Sequence, residues 1–208
     1  MLIHGDGNGQ YLFEQLRGLA DDDRMMIGIV RPGYFSSNGA ESTGPDSDRN
    51  FDHYTRAVTD TLAVAITQVK NHYQPAELII LGHSGGAALA GLIASFYPSL
   101  ADRIILVACP CNVPQWRMLR DGNNEPWPRS LSPHSVVGQL NTGVPLLAVV
   151  GADDTNTFPQ LTIDYVALAQ SAGVTASHEV VAGADHDGIV VNTQALIDIV
   201  FDWIGSTP

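Results

Sequence analysis

A serine hydroxyl is a poor nucleophile at neutral pH. It attacks only when a base within hydrogen-bond reach takes its proton, and that base needs an orienting carboxylate. The sequence offers such a serine in Gly82-His83-Ser84-Gly85-Gly86. It offers bases and acids in two further stretches, Gly151-Ala152-Asp153-Asp154-Thr155-Asn156 and Gly183-Ala184-Asp185-His186-Asp187-Gly188. Each lies just beyond an apolar run, so each reads as a loop that leaves a strand.

The elements around Ser84 fix what it can do. Leu78-Ile79-Ile80-Leu81 reads as a strand buried on both faces. Ala87 to Ala90 begins a small-residue helix that packs closely over it. Between them the chain must turn sharply with Ser84 at the apex. Cβ atoms at Gly82 and Gly86 would collide as strand and helix come together. The turn also places the Gly85 N–H at a helix N-terminus, where it can face a developing negative charge.

The remaining elements alternate. Strands are expected at Leu2-Ile3, Met25–Val30, Glu77–Leu81, Arg103–Ala108, Val144–Gly151 and Thr175–Ala182. Helices are expected over Tyr11–Ala20, Phe51–Tyr73, from the elbow to Tyr97, over Pro159–Ala172 and over Val190–Ile204. Phe35–Asn50 reads as a surface loop and Cys109–Asn141, rich in proline, as irregular. This order predicts an α/β fold, a mostly parallel sheet with helices on both faces. At 208 residues a single domain, 1–208, is the default.

The net charge of −12 and the lack of a basic cluster argue against nucleic acid and anionic membranes as partners. No apolar run reaches the 18 residues of a membrane span. The N-terminus shows no basic-then-apolar leader pattern, so the chain reads as cytoplasmic. A processed or truncated form of an exported protein is the alternative. Cys109 and Cys111, two apart in an extended segment, do not favour a bridge, and no further ligands stand at zinc-site spacing.

The apolar strand, Gly-x-Ser-x-Gly and helix together resemble the nucleophile elbow of the α/β-hydrolase superfamily. The similarity spans nearly the whole chain and implies a serine carboxylesterase-like member. It implies a triad in the chain order Ser84, an aspartate, His186. The family's acid stands three residues after the strand-ending glycine, which prefers Asp154 over Asp153. Either aspartate otherwise caps the next helix. The oxyanion donors implied are the N–H groups of Gly85 and, counting on from His4-Gly5, of Asp6, with Gly7 as the fallback. The Asp6 carboxylate must then point away or be paired. Arg31 is either that partner or an ordinary surface arginine. His4 is expected to support its loop and His83 to pack under the elbow.

Residues 109–141 stand where relatives carry a cap. Trp116, Met118 and Trp127 either wall a substrate pocket or simply cover the sheet. In relatives one or two antiparallel strands precede the His-Gly strand, whereas here Met1 stands three residues before His4. About six strands are therefore expected, with an edge covered by a second copy or by the N-terminal loop. The resemblance implies hydrolysis of small carboxylic esters with short acyl chains, without metal or organic cofactor. Arg31-Pro32-Gly33-Tyr34 also resembles a segment of prolyl aminopeptidases, so amide hydrolysis is the alternative. A non-catalytic binding module is the alternative of another class.

Overall fold

The computed structural model describes residues 1–208 except 7–8, 36–38, 40, 45–51, 122–126, 192 and 207–208. At 9–11, 121 and 193 only the backbone is described. Six parallel strands form one sheet in the order β2-β1-β3-β4-β5-β6. They are β1 Leu2–Ile3, β2 Gly28–Ile29, β3 Ile79–His83, β4 Arg103–Val107, β5 Leu146–Gly151 and β6 Ala176–Val181. The helices are α1 Gly9–Gln15, α2 Arg56–Tyr73, α3 Gly85–Phe96, α4 Val113–Asp121, α5 Pro133–Val136, α6 Pro159–Ser171, α7 Gly188–Val191 and α8 Thr193–Ser206. Short 3-10 turns follow α1 at Leu16–Leu19 and α5 at Val137–Gln139.

The central strands are mostly apolar, with Arg103 and His83 at their ends, because both faces are covered. Ile80, Ile104, Leu106, Leu146 and Ala148 face a core shared with α2, α3 and α6. Their neighbours Leu81, Ile105, Val107, Leu147 and Val149 face a second core with Leu12, Leu16, Leu196 and Val200. The period of two along each strand thus sorts side chains between two helix layers. In α2 the buried positions Val58, Thr59, Leu62, Ala63 and Ile66 follow the helical repeat.

The elbow is set by close approach. A Cβ on Gly86 would lie 2.1 Å from the main-chain oxygen of Ile3, so the end of β1 touches the first turn of α3. Ser84 adopts φ 54° and ψ −124°, a strained conformation for a side-chain-bearing residue. Its N–H is held by the Val107 carbonyl at 2.9 Å, which ties the apex to the end of β4.

Several boundaries differ from those expected. The strand expected at 25–30 pairs only over Gly28–Ile29. It is the sheet edge, and so short an edge offers little to another strand. Within 109–141, read as irregular, Val113–Asp121 is helical, with Pro114 in the first turn where its missing N–H costs nothing. Across the span expected of the last helix, Gly188–Val191 and Thr193–Ser206 are helical, and residue 192 lies outside the described residues. Part of the 35–50 loop lies outside the described residues; within it Phe35 and Glu41 form an antiparallel bridge.

The two cysteines are bridged, against expectation. The expectation assumed an extended backbone, but the chain is bent at Pro110, whose two dihedrals alone set the separation of its neighbours. The Cα atoms of Cys109 and Cys111 then stand 5.0 Å apart, within bridging range.

Two outcomes are expected. Denatured, unreduced protein should give no thiol reaction with Ellman's reagent and two thiols after reduction; two before reduction would remove the bridge. Gly86→Ala should destabilise by about 1–3 kcal/mol in urea unfolding, because a backbone oxygen cannot yield. That clash outweighs the roughly 1 kcal/mol helix-propensity gain of alanine. Gly138→Ala, with nothing near its Cβ position, should be close to neutral. Equal behaviour of the two variants would contradict the contact.

Candidate active site

Parallel strands deliver their following loops to one end of the sheet, and three such loops meet there. The loop after β3 carries Ser84, that after β5 carries Asp154, and that after β6 carries His186. Ser84 Oγ lies 3.0 Å from His186 Nε2, and His186 Nδ1 lies 2.9 Å from Asp154 Oδ2. A proton on Nδ1 faces the carboxylate, leaving the Nε2 lone pair for the serine hydroxyl. The carboxylate that reaches His186 is that of Asp154, 2% exposed, while Asp153 is exposed.

The acid loop holds Asp154 firmly. The N–H groups of Asn156 and Thr157 donate to Oδ1 at 2.8 and 2.7 Å. The Thr157 hydroxyl donates to Oδ2 at 2.7 Å and also lies 3.2 Å from His186 Nδ1. Burial pushes the Asp154 carboxyl upward, but His186 and these Thr157 bonds outweigh it and hold it below the usual value. Sequence reasoning did not single out Thr157. The signal was an Asp followed three residues later by a hydroxyl ahead of Pro159, a local turn pattern.

His83 packs beneath the elbow, 8% exposed, with Nε2 3.3 Å from the His186 carbonyl. Burial, with His186 beside it, lowers its pKa to about 4. It is therefore neutral near pH 7, its Nε2–H donating to that carbonyl.

On the other side, Gly5 abuts Ser84, since a Cβ on Gly5 would lie 2.9 Å from the Ser84 Cβ. A Cβ on Gly85 would lie 2.4 Å from Asp6 Oδ1 and 2.6 Å from the Tyr54 hydroxyl. Asp6 and Gly85 are thus adjacent, and residue 85 has no room for a side chain. The Asp6 carboxylate does not point away; it is paired. Arg31 Nη1 donates to Oδ1 at 2.8 Å and the Tyr54 hydroxyl to Oδ2 at 2.5 Å. Arg31 is fully buried, not a surface arginine. Burial opposes the Asp6 charge, but Arg31, Tyr54 and His53 outweigh it and hold the carboxyl below its usual value. Gly7, the alternative donor, lies outside the described residues.

The three side chains expected at a pocket part company. Trp116 is 2% exposed and belongs to the core, its Nε1–H donating to the Asn156 carbonyl at 3.0 Å. It braces the acid loop. Met118 is 58% exposed. Trp127 is half-buried, edge-on to Tyr54 and Trp116. A cavity of about 500 Å³ opens elsewhere, at the starts of β1 and β3, lined by Met1, Met25, Ile79 and Phe201 among others. It includes none of Ser84, Asp154 or His186.

His4 is lowered to about 3 by burial and by Arg31, as His83 is to about 4 by burial. An unfolded histidine takes a proton below about pH 6.5, whereas these stay neutral until far lower. The unfolded chain binds more protons, so stability falls as pH falls from about 6.5 toward 4. Between pH 7 and 5, His83→Gln should recover about 2 kcal/mol relative to wild type in urea unfolding. An unchanged gap between the two proteins would refute the buried neutral state.

The fold has known relatives. An esterase of Pyrococcus furiosus is 15% identical with a TM-score of 0.71, over 98% of this chain and 81% of that one. A malate-bound thermophilic esterase of Thermogutta terrifontis is 15% identical with a TM-score of 0.69, over 98% and 88%. The acylaminoacyl peptidase of Pyrococcus horikoshii is 13% identical with a TM-score of 0.68, over 98% of this chain but only 36% of that one. No curated protein matches the sequence. The family model for the alpha/beta hydrolase family matches residues 1–133, which carry β1 to β4 and the Ser84 elbow. The chain therefore belongs to the alpha/beta hydrolase family.

Proposed function

We infer that the protein is a serine hydrolase of small carboxylic esters with short acyl chains. The observation that carries this reading is the continuous line Asp154–His186–Ser84, with contacts of 2.9 and 3.0 Å. His186 Nε2 takes the Ser84 proton as Oγ attacks the carbonyl carbon. The carbonyl π pair moves onto oxygen, and the Gly85 and Asp6 N–H groups receive that charge. Collapse breaks the bond to the alcohol oxygen, which leaves with the proton from His186. A water, deprotonated by His186, then attacks the acyl-enzyme and releases the acid and free Ser84.

Asp154 keeps the imidazole in the Nδ1–H tautomer and stabilises its cation. The N-terminus of α3 adds its dipole to the oxyanion site. One such N–H donor accounts for about 10²–10³ in rate in a known enzyme. Ser84 is buried, 9% exposed, and His186 half-buried, so a small or extended acyl group reaches the hydroxyl more readily than a bulky one.

Ser84→Ala should abolish p-nitrophenyl acetate hydrolysis, and Asp154→Asn should lower kcat by about 10⁴. A fluorophosphonate probe should label Ser84. Parallel turnover of a long-chain ester and a prolyl anilide sorts esterase from lipase and peptidase. Absence of both labelling and turnover would replace the enzyme reading with a binding module.

A further inference from the structure

We propose that Arg31 is a positioning residue of the reaction, the buried counter-charge that allows an aspartate to stand in the oxyanion loop. This rests on the esterase reading. An oxyanion beside an ionised carboxylate is disfavoured, and Asp6 Oδ1 lies against the residue-85 backbone that must receive the oxyanion. Asp6 keeps 30% of its side-chain surface, so water screens its charge only in part. The guanidinium of Arg31 is the group that cancels it, and Arg31 has no exposed surface.

Arg31 also sets the direction of the Asp6 N–H. Its own N–H donates to His4 Nε2 at 3.1 Å. The proton of that imidazole is therefore on Nδ1, which donates to the Gly5 carbonyl at 2.7 Å. The Gly5–Asp6 peptide is planar and trans, so a carbonyl held toward His4 leaves the Asp6 N–H facing the opposite way. Nη1 of Arg31 further donates to the His4 carbonyl at 3.2 Å, and Nη2 donates to His53 Nε2 at 2.5 Å. The faces of Tyr34 and Tyr54 lie 4.9 and 5.8 Å from the guanidinium carbon. One buried cation thus balances the carboxylate and fixes the peptide that carries a donor.

The test is a charge cycle on purified protein with p-nitrophenyl acetate, read with the affinity of phenylboronic acid, which forms an anionic adduct on a reactive serine. Arg31→Met should lower kcat by about 10², the scale of one lost oxyanion donor, with KM within about threefold. Boronate affinity should fall in parallel. Asp6→Asn combined with Arg31→Met removes both charges and should recover kcat at least about tenfold over Arg31→Met alone. A part that is only structural would let neither kcat nor boronate affinity recover, and that result overturns the proposal. Wild-type kcat in Arg31→Met overturns it as well. If Arg31→Met does not fold, Arg31→Lys decides. With the charge kept, turnover within about tenfold of wild type supports the counter-charge, and a loss near 10² overturns it. A wild type that neither hydrolyses the ester nor binds the boronate sinks the esterase reading itself.

Discussion

The site depends on a steric constraint, the contact between the end of β1 and the first turn of α3. Gly86 lets the Ile3 carbonyl come so close that no Cβ would fit between them, and Gly5 itself lies against Ser84. Two glycines therefore bring a loop and an elbow, about 80 residues apart in sequence, to backbone distance. Everything polar at the site is arranged around that contact. The strain at Ser84 is held by the same packing, since its N–H is bound to β4 and the following turn is wedged under β1.

The contact crowds two carboxylates near one hydroxyl, and the chain answers each differently. Asp154 is surrounded by donors from its own loop and by His186, so its charge works through the imidazole. Asp6 is answered by a cation from the loop after β2 and by Tyr54 from the start of the α2 region. In a medium less polarisable than water, both charges would otherwise be costly. The buried histidines fit the same pattern. His4 and His83 stay neutral and use their N–H groups to hold carbonyls, adding no cation to compete with Arg31.

How much of this could be read from sequence follows from how local each signal is. The elbow is legible because its glycines and apolar strand are contiguous. The loops of Asp154 and His186 are legible because each follows an apolar strand directly. The bridge between Cys109 and Cys111 was not, because it turns on a bend at Pro110, where the ring fixes φ but the sequence leaves ψ open. Helix α4 was hidden by the prolines around it, although the one inside it, Pro114, sits harmlessly in the first turn. The edge strand β2 was overestimated because an apolar run guarantees neither pairing nor burial: Met25 is exposed, and only Gly28–Ile29 pair. Trp116 was ambiguous because a tryptophan in a core and one in a pocket look alike until its N–H finds Asn156. The Arg31 cluster joins residues 4, 6, 31, 53 and 54, a pattern no single window contains.

The position of the candidate site, away from the cavity of about 500 Å³, has a physical reason. At the starts of β1 and β3 the walls come from apolar residues of α2, α8 and the run before β2. Three of the charged side chains there are engaged: Arg24 with Asp21, Lys70 with the Leu100 carbonyl, and Glu77 with Arg103. Among the described residues, the groups that could orient a reacting bond are grouped at the other end, with Ser84 and His186. At the other end of the strands the backbone itself supplies polarity. Chains leave the sheet, a helix begins, and N–H groups in its first turn have no carbonyl four residues back. Volume alone would select the first end. The distribution of backbone dipoles selects the second, and the loops carrying Ser84, Asp154 and His186 all emerge there.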